Sequence, residues 1–475
     1  MKNNKVFFRV DGSTQIGLGH LIRCLALAYM LKNRFQIFFV SIEIPEQIIS
    51  EIIGGDFTLI KIQYPDDFFT LINDKDIVVM DGYQFSVEYQ KGVKKTGSKL
   101  VCIDDLHEVE FVADLIINHT LAVTPHDYDA QPYTRFALGL NYVLLRPLFL
   151  GQAKKAQTIR GTDTILICFG GADPKNLTKQ ALEIILNAFA FKKVIVVTGA
   201  AYMFSESINS LIKSNSSVNH YSAISENEML TIMLEADLAV VPSSGILLET
   251  LAAGCKIISG FYVDNQKVLY QKFKSIGAFV GADNFNKEDL ETAIVASLKV
   301  EKTQSKLIDG NSDKNLLNCF YRLSASLRNA ELSDCDTIFS WVNDSTVRSN
   351  AFNSQVIELT DHKTWFNKKL ADENSHIFIL YFQNINFGQI RFDIENKTAT
   401  ISYLIDKDFR GLGFGSLIVK KGIEKISEIN RELTLIALVK PINEASIKVF
   451  QHLGFQQKEE NHSHYGNIYS FSLEL

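Results

Sequence analysis

His20 stands within the segment RVDGSTQIGLGHLIRC, Arg9 to Cys24, in which it follows Gly12, Gly17 and Gly19. Glycines let the backbone take positive φ and approach a ligand closely, and a helix starting there offers unpaired N–H groups to an anion. An imidazole with a pKa near neutrality at such a helix start can move a proton on a bound substrate. His20 is therefore the catalytic candidate, although the same pattern also makes a plain strand-to-helix turn with a capping histidine. Two further turns lie downstream: Gly170-Gly171-Ala172-Asp173-Pro174, and Pro242-Ser243-Ser244-Gly245 with Glu249 one helical turn beyond it. A Ser-Ser-Gly turn before a helix cradles an anion, and a carboxylate placed like Glu249 can accept hydrogen bonds from ribose hydroxyls, which suits a nucleoside diphosphate. A last glycine loop, Arg410-Gly411-Leu412-Gly413-Phe414-Gly415-Ser416, has backbone N–H groups suited to a pyrophosphate.

The elements around these loops follow from hydrophobic periodicity. Apolar runs at 5–10, 36–40, 58–62, 77–80, 99–103 and 115–117 predict buried strands of a parallel α/β sheet, alternating with helical segments. Ligands gather past the C-terminal ends of such strands, so Asp11, Asp81-Gly82-Tyr83, Asp104-Asp105 and Asn118-His119 could converge on one crevice; each could equally start a turn or cap a helix. After the small, basic linker Gly151–Lys155 the pattern repeats, with strands at 164–169, 194–197, 238–241 and 256–259 and helices at 177–189, 229–236 and 246–253. Beyond a helix over 311–323 the pattern changes to antiparallel strands at 376–381, 387–393 and 398–405, with a turn at 383–386, then a helix over 417–426, a strand over 433–439 and a helix over 443–450. Three domains are expected: an N-terminal lobe over 1–150, a second lobe over 151–323 and a third domain over 324–475.

A chain of 475 residues exceeds one ordinary core, and 46% hydrophobic with 21% charged residues marks a globular protein. A net charge of −6 argues against a general nucleic-acid binder. No apolar run reaches membrane-span length and no signal-peptide pattern precedes the first strand, so a cytoplasmic protein is expected. The six cysteines are scattered without a CxxC pair and read as small buried hydrophobes; no HExxH or clustered Cys/His demands a metal.

Residues 1 to about 323 resemble the UDP-sugar hydrolases of pseudaminic acid biosynthesis, which have two Rossmann-like lobes of the GT-B type. The matching pieces are RVDGSTQIGLGHLIRCLALA, MDGYQFS, CIDD, LNYVLLRPLF, CFGGADPKNLT, PSSGILLETLAAG and DNQ. The resemblance implies hydrolysis of UDP-2,4-diacetamido-2,4,6-trideoxy-β-L-altropyranose to UDP and free sugar. By this resemblance His20 activates the attacking water, Arg9, Asp11 and Tyr83 line the sugar side, and the Gly17 and Gly19 loop approaches substrate. The second-lobe motifs, Gly171 among them, hold UDP, with Ser244 and Gly245 near the diphosphate, Glu249 at the ribose, and Asn265 and Gln266 closing on the sugar.

The R-x-x-G-x-G motif at Arg410 and the N-x-x-S motif at Asn443, followed by Gly454-Phe455, resemble the GNAT acetyltransferases over about residues 326–475. This implies a mixed-sheet α+β domain with acetyl-CoA as cosubstrate. Its pyrophosphate would lie on Arg410 and the backbone of Gly411, Gly413, Phe414, Gly415 and Ser416, its pantetheine between strands 398–405 and 433–439, with Asn443 on the pantetheine arm. A tyrosine common in that family seven residues after the asparagine is Phe450 here, which leaves the general acid open among His452, Tyr465, Tyr469 and water. Trp341, Arg348, His362 and Trp365 resemble the nucleotide-sugar N-acetyltransferase of the same pathway; the tryptophans could stack on UDP or pack in the core. Together the halves imply consecutive reactions on a UDP-amino sugar, N-acetylation of the 4-amino group and then hydrolysis. The alternatives are a GT-B glycosyltransferase fused to an acetyltransferase, or a protein acetyltransferase with sugar-nucleotide-sensing lobes. Oligomeric state is not legible.

Overall fold

The computed structural model describes residues 4–12, 19–155, 161–299, 307–462 and 466–475, without the Asn265 side chain. It divides into two compact units, Met1–Cys319 and Phe320–Leu475.

The first unit is α/β with two parallel sheets. Strands β1 (Lys5–Val10), β2 (Gln36–Ser41), β3 (Thr58–Lys61), β4 (Ile77–Asp81), β5 (Lys99–Ile103), β6 (Leu115–Asn118) and β7 (Arg135–Leu138) form one sheet in the order β3-β2-β1-β4-β5-β6-β7. Their apolar runs are continuous because both faces are covered: five of the six residues of β1 and all of β4 are buried. β1 pairs with both β2 and β4, as in Phe7 opposite Phe38 and Val78. The strand order therefore reverses direction at β1 and β4, and a crevice opens beyond their carboxyl ends. The second sheet, β8 (Thr164–Cys168), β9 (Lys193–Thr198), β10 (Val218–Ser222), β11 (Leu238–Pro242), β12 (Lys256–Gly260) and β13 (Val280–Gly281), has the order β10-β9-β8-β11-β12-β13, with its own reversal between β8 and β11. Its core holds Ile165, Ile167, Val196, Val240 and Ile258.

The second unit carries one mixed sheet. β14 (Ser326–Asn329), β15 (Ser375–Phe382), β16 (Ile385–Glu395), β17 (Thr398–Ile405), β18 (Thr434–Val439), β19 (Gln456–His462) and β20 (Gly466–Glu474) run in the order β14-β15-β16-β17-β18-β20-β19. All neighbours are antiparallel except β17 and β18, which pair in parallel through Thr398, Ala399 and Thr400 opposite Thr434, Leu435 and Ile436, and no further. Beyond those three pairs the two strands run on to Ile405 and Val439 without partners in each other.

Several boundaries differ from expectation. Residue 150 falls inside the helix Pro147–Ala153, and residue 323 one position before the end of the helix Ser312–Ser324. The turn expected over 383–386 is shorter, since Ile385 already begins β16 and Gln383 alone takes φ of 54°. Strands outside the expected runs include β7, β13 and β20, and two with little apolar content: β10 is exposed at three of its five residues, and β19, QQKEENH, at six of its seven. Cys24, Cys102, Cys168 and Cys255 are buried and Cys319 and Cys335 half-buried. No helix among the described residues is long and apolar enough to cross a membrane.

Candidate functional site

The helix Gly19–Leu31 starts beyond β1 and buries Leu21, Cys24, Leu25 and Ala28 against the sheet, which sets His20 at the crevice. His20 is 7% exposed, and its Nδ1 lies 2.6 Å from Asp81 Oδ1 at the end of β4. A carboxylate only accepts, so Nδ1 presents its proton to Asp81, and Arg23 Nη2 stands 3.0 Å from the same nitrogen. Arg23, one turn along the helix, donates to Asp81 from Nε and Nη2 at 2.5 Å each and from Nη1 to Asp105 Oδ2 at 2.9 Å. Burial opposes the Arg23 charge, but Asp81 and Asp105 outweigh it and raise its pKa well above the ordinary value. Burial likewise opposes the Asp105 charge, and Arg23 with Tyr83 overcomes it, holding that carboxyl below its usual range. Tyr83 donates to Asp105 at 3.3 Å and sets its ring edge-on to His20 at 4.8 Å; at 55% exposure it forms the outer wall. A cavity of about 110 Å³ beside Arg23 and Tyr83 is floored by Met80, Phe85, Cys102 and Phe111.

The other strand-end residues divide by role. Asp104 accepts from the His107 N–H at 2.8 Å and so makes a turn. Asn118 accepts from the Thr120 N–H and donates to Tyr128. His119 joins the electrostatics of the crevice: burial first and Arg23 second push it down, against Asp105 and Asp81, to about 4. Arg9 is 1% exposed, pairs with Asp11 at 2.7 Å and lies over Phe85 at 5.0 Å. Asp11 also accepts from the Ile42 N–H at 2.7 Å. The two form a buried ion pair at the carboxyl end of β1. Gly17 lies outside the described residues, and Gly19 opens the helix with space where a Cβ would be.

In the second lobe Asp173 occupies the N-terminus of the helix Leu177–Ala188, accepting from the N–H groups of Leu177 and Thr178 at 2.9 and 2.7 Å. That helix end is thus filled by the chain's own carboxylate. The Gly171 turn instead packs against Gly199, where a Cβ would come within 2.3 Å of the Gly171 carbonyl oxygen. The helix Gly245–Ala253 differs, because the Ser244 side chain makes no cap hydrogen bond and space stands open at the Gly245 Cβ position. One turn inside it Glu249 is 9% exposed and accepts from Arg146 Nη2 at 2.7 Å, with Glu226 3.8 Å from the same guanidinium. Burial raises both carboxyls above their usual range, against the pull of Arg146. Gln266 accepts from the Tyr262 N–H at 3.1 Å. Asn265 opens the helix Asn265–Ser275, and its side chain lies outside the described set.

In the second unit the Arg410 loop ends where β17 and β18 have parted. Gly411 and Gly413 take φ of 74° and 80°, which turns the chain into the helix Phe414–Ile429. Arg410 is anchored, donating from Nε to the Ile405 carbonyl at 3.0 Å and pairing with Asp344 at 2.8 Å. The Phe414 side chain is buried against Phe387 at 4.6 Å, so only its backbone, with that of Gly415 and Ser416, can meet a ligand. Asn443 caps the helix Glu444–His452, accepting from the Ser446 N–H at 3.2 Å. Phe450 is 2% exposed among Tyr403, Phe455 and Phe471. His452 is exposed at the helix end, Tyr469 on β20 pairs with Val439 of β18, and Tyr465 lies outside the described residues. Trp341 is core, donating to Asp406 at 2.6 Å, and Trp365 packs beneath Arg391. Arg348 is held by the carbonyls of Asn353 and Gln355, and His362 is buried beside Phe366. Among the described residues no group of His, Cys, Asp and Glu is arranged to hold a metal ion.

Asp81 and Asp105 stand among the strand-end candidates of the sequence, undistinguished there from Asp11, Asp104 and Asn118, whereas Arg23 and Arg146 are not among its candidates. The available signal was the pair of acidic strand ends in MDGY and CIDD.

Residues 325–456 match the acetyltransferase (GNAT) domain family. The N-terminal half is 26% identical to the UDP-2,4-diacetamido-2,4,6-trideoxy-β-L-altropyranose hydrolase of Campylobacter jejuni, over 55% of this chain and 93% of that one. It is 25% identical to spore coat polysaccharide biosynthesis protein SpsG of Bacillus subtilis, over 56% of this chain and 80% of that one. An uncharacterized protein of Methanocaldococcus jannaschii is 23% identical over 96% of this chain and 97% of its own length, across both halves. Among solved structures, spermidine N-acetyltransferase of Vibrio cholerae in complex with CoA and spermine matches 31% of this chain and 94% of its own, at 16% identity and a TM-score of 0.29.

Proposed function

We propose that this chain performs two consecutive reactions on a UDP-amino sugar: acetyl-CoA-dependent N-acetylation of the 4-amino group, then hydrolysis of UDP-2,4-diacetamido-2,4,6-trideoxy-β-L-altropyranose to UDP and free sugar. The observation that carries the hydrolytic half is the buried His20–Asp81 pair, 2.6 Å apart at the reversal point of the first sheet. Asp81 holds the proton on Nδ1, so Nε2 accepts a proton from water as its oxygen attacks the anomeric carbon. Arg23 and Asp105 fix the carboxylate, and a buried base held in this way needs no reorganisation during the step. UDP would leave toward the N–H groups at Ser244 and Gly245, which stabilise the diphosphate, while Glu249 meets the ribose in a GT-B-like pairing of the two lobes. Asn265 and Gln266 stand at the start of the neighbouring helix, on the sugar side in this reading.

For the transferase half, the parted strands β17 and β18 and the left-handed glycines of the Arg410 loop suit an extended pantetheine ending in a pyrophosphate. Acetyl-CoA, when bound there, supplies a thioester to the attacking neutral amine. The chain's own part is to hold the pyrophosphate on the backbone of Gly411 to Ser416 and to bring the acceptor amine alongside β17. Linking the two activities raises the local concentration of the intermediate at the hydrolytic site, and similarity to one archaeal chain across both halves supports such a pairing.

The test supplies acetyl-CoA with UDP-4-amino-4,6-dideoxy-N-acetyl-β-L-altrosamine and follows thiol and UDP release separately. Thiol release first, with UDP released only after acetylation, is expected. His20→Ala should abolish UDP release while leaving thiol release and UDP binding intact; unchanged UDP release in that variant refutes the hydrolytic assignment. Thiol release without UDP release in the wild type would instead favour a glycosyltransferase.

A further inference from the structure

The position expected to carry the proton donor of an acetyltransferase is filled by Phe450, which has no proton to give. Its ring is packed edge-on by Tyr403 at 5.8 Å between centroids. Tyr403 lies on β17 three residues beyond the last pair with β18, in the stretch where the two strands have separated. Its hydroxyl is 3.0 Å from the Ser446 hydroxyl, on the helix that bears Phe450. On its other side a Cβ at Gly415 would stand 3.8 Å from the Tyr403 oxygen, so the hydroxyl also borders the glycine loop. The ring is half-buried.

From this geometry we infer that Tyr403 is the residue that protonates the departing CoA sulfur, with Ser446 returning the proton. The inference rests on the acetyltransferase reading above. In the step, the amine nitrogen bonds to the acetyl carbon and the C–S bond breaks. The sulfur takes a proton from Tyr403 Oη, and the phenolate recovers one from water through Ser446 Oγ. The surplus proton on nitrogen leaves to water, so the exchange balances. Burial raises the Tyr403 pKa, with Ser446 opposing, and keeps the hydroxyl a donor rather than a phenolate.

The test compares wild type with Tyr403→Phe, which removes one oxygen and keeps the ring that packs on Phe450. Calorimetry with CoA and with desulfo-CoA reads the contact without catalysis. Wild type should prefer CoA by about threefold to tenfold, the range of one hydrogen bond, and Tyr403→Phe should lose that preference while still binding both. In the thiol-release assay kcat should fall by about 10²-fold or more, with the KM for acetyl-CoA within about twofold. An unchanged preference, or a kcat within about twofold of wild type, overturns the inference and leaves the transferase reading standing. Failure of the wild type to bind CoA refutes the reading itself.

Discussion

Replacing Asp81 by asparagine isolates what its carboxylate does for His20. Oδ1 accepts from His20 Nδ1 at 2.6 Å and from Arg23 Nη2 at 2.5 Å, and Oδ2 accepts from Arg23 Nε at 2.5 Å. All three contacts demand an acceptor, and an amide offers one acceptor and one donor. With its NH2 toward His20, the amide forces Nδ1 to accept and moves the ring proton to Nε2, the nitrogen that must take a proton from water. With its NH2 toward Arg23, two donors oppose each other beside a buried guanidinium. Either way the base is lost or displaced, and UDP release should slow by about 10²–10⁴-fold. Stability should fall as well, because breaking a buried pair leaves a charge partly uncompensated. The cost is about 3 kcal/mol, toward the low end of the usual range because Asp105 remains on Arg23. Steady-state UDP release gives the rate, urea denaturation the stability, and calorimetry with UDP should show affinity within about threefold of wild type, since the proposed UDP groups lie on the other lobe. A folded Asp81→Asn protein that releases UDP within about fivefold of the wild-type rate would refute the reasoning.

Gly413→Ala places a side chain at φ of 80° with its Cβ 2.7 Å from the Arg322 guanidinium carbon, so the second unit should lose about 1–3 kcal/mol and bind acetyl-CoA more weakly; thermal unfolding and calorimetry check both. His119 titrates at about 4 in the folded chain against 6.5 ordinarily. The unfolded chain therefore takes up the proton first as pH falls, so the stability tied to neutral His119 is full above about pH 6.5 and is lost toward pH 4, by roughly 3 kcal/mol. Denaturation curves across that window should show the loss, and His119→Gln should flatten it; an equally steep curve in the variant would refute this origin.

The amino-acid sequence by itself determined the elements whose signal is local. Continuous apolar runs gave away β1, β4, β5, β8 and β11, because strands buried on both faces need apolar residues at every position. The glycine turns announced where those strands hand over to helices, and His20 and the Arg410 loop were legible there. What only the tertiary structure decided is who meets whom. His20 and Asp81 are 61 residues apart and Arg23 and Asp105 are 82 apart, yet parallel pairing of β1, β4 and β5 brings their ends to one edge. Arg146 and Glu249, 103 apart, meet because the helices that carry them pack together. The same selection turned Asp104 into a turn residue and Arg9 with Asp11 into a buried ion pair, distinctions that identical residue types at strand ends do not carry. It also buried Trp341 and set Tyr403 against Phe450. The edge strand β19 escaped notice for the complementary reason: exposed on both faces, it needs no apolar pattern, and only its pairing with β20 makes it a strand. Side-chain periodicity reports burial along one segment, whereas register and strand order, which assemble a site, are relations between segments far apart in the chain.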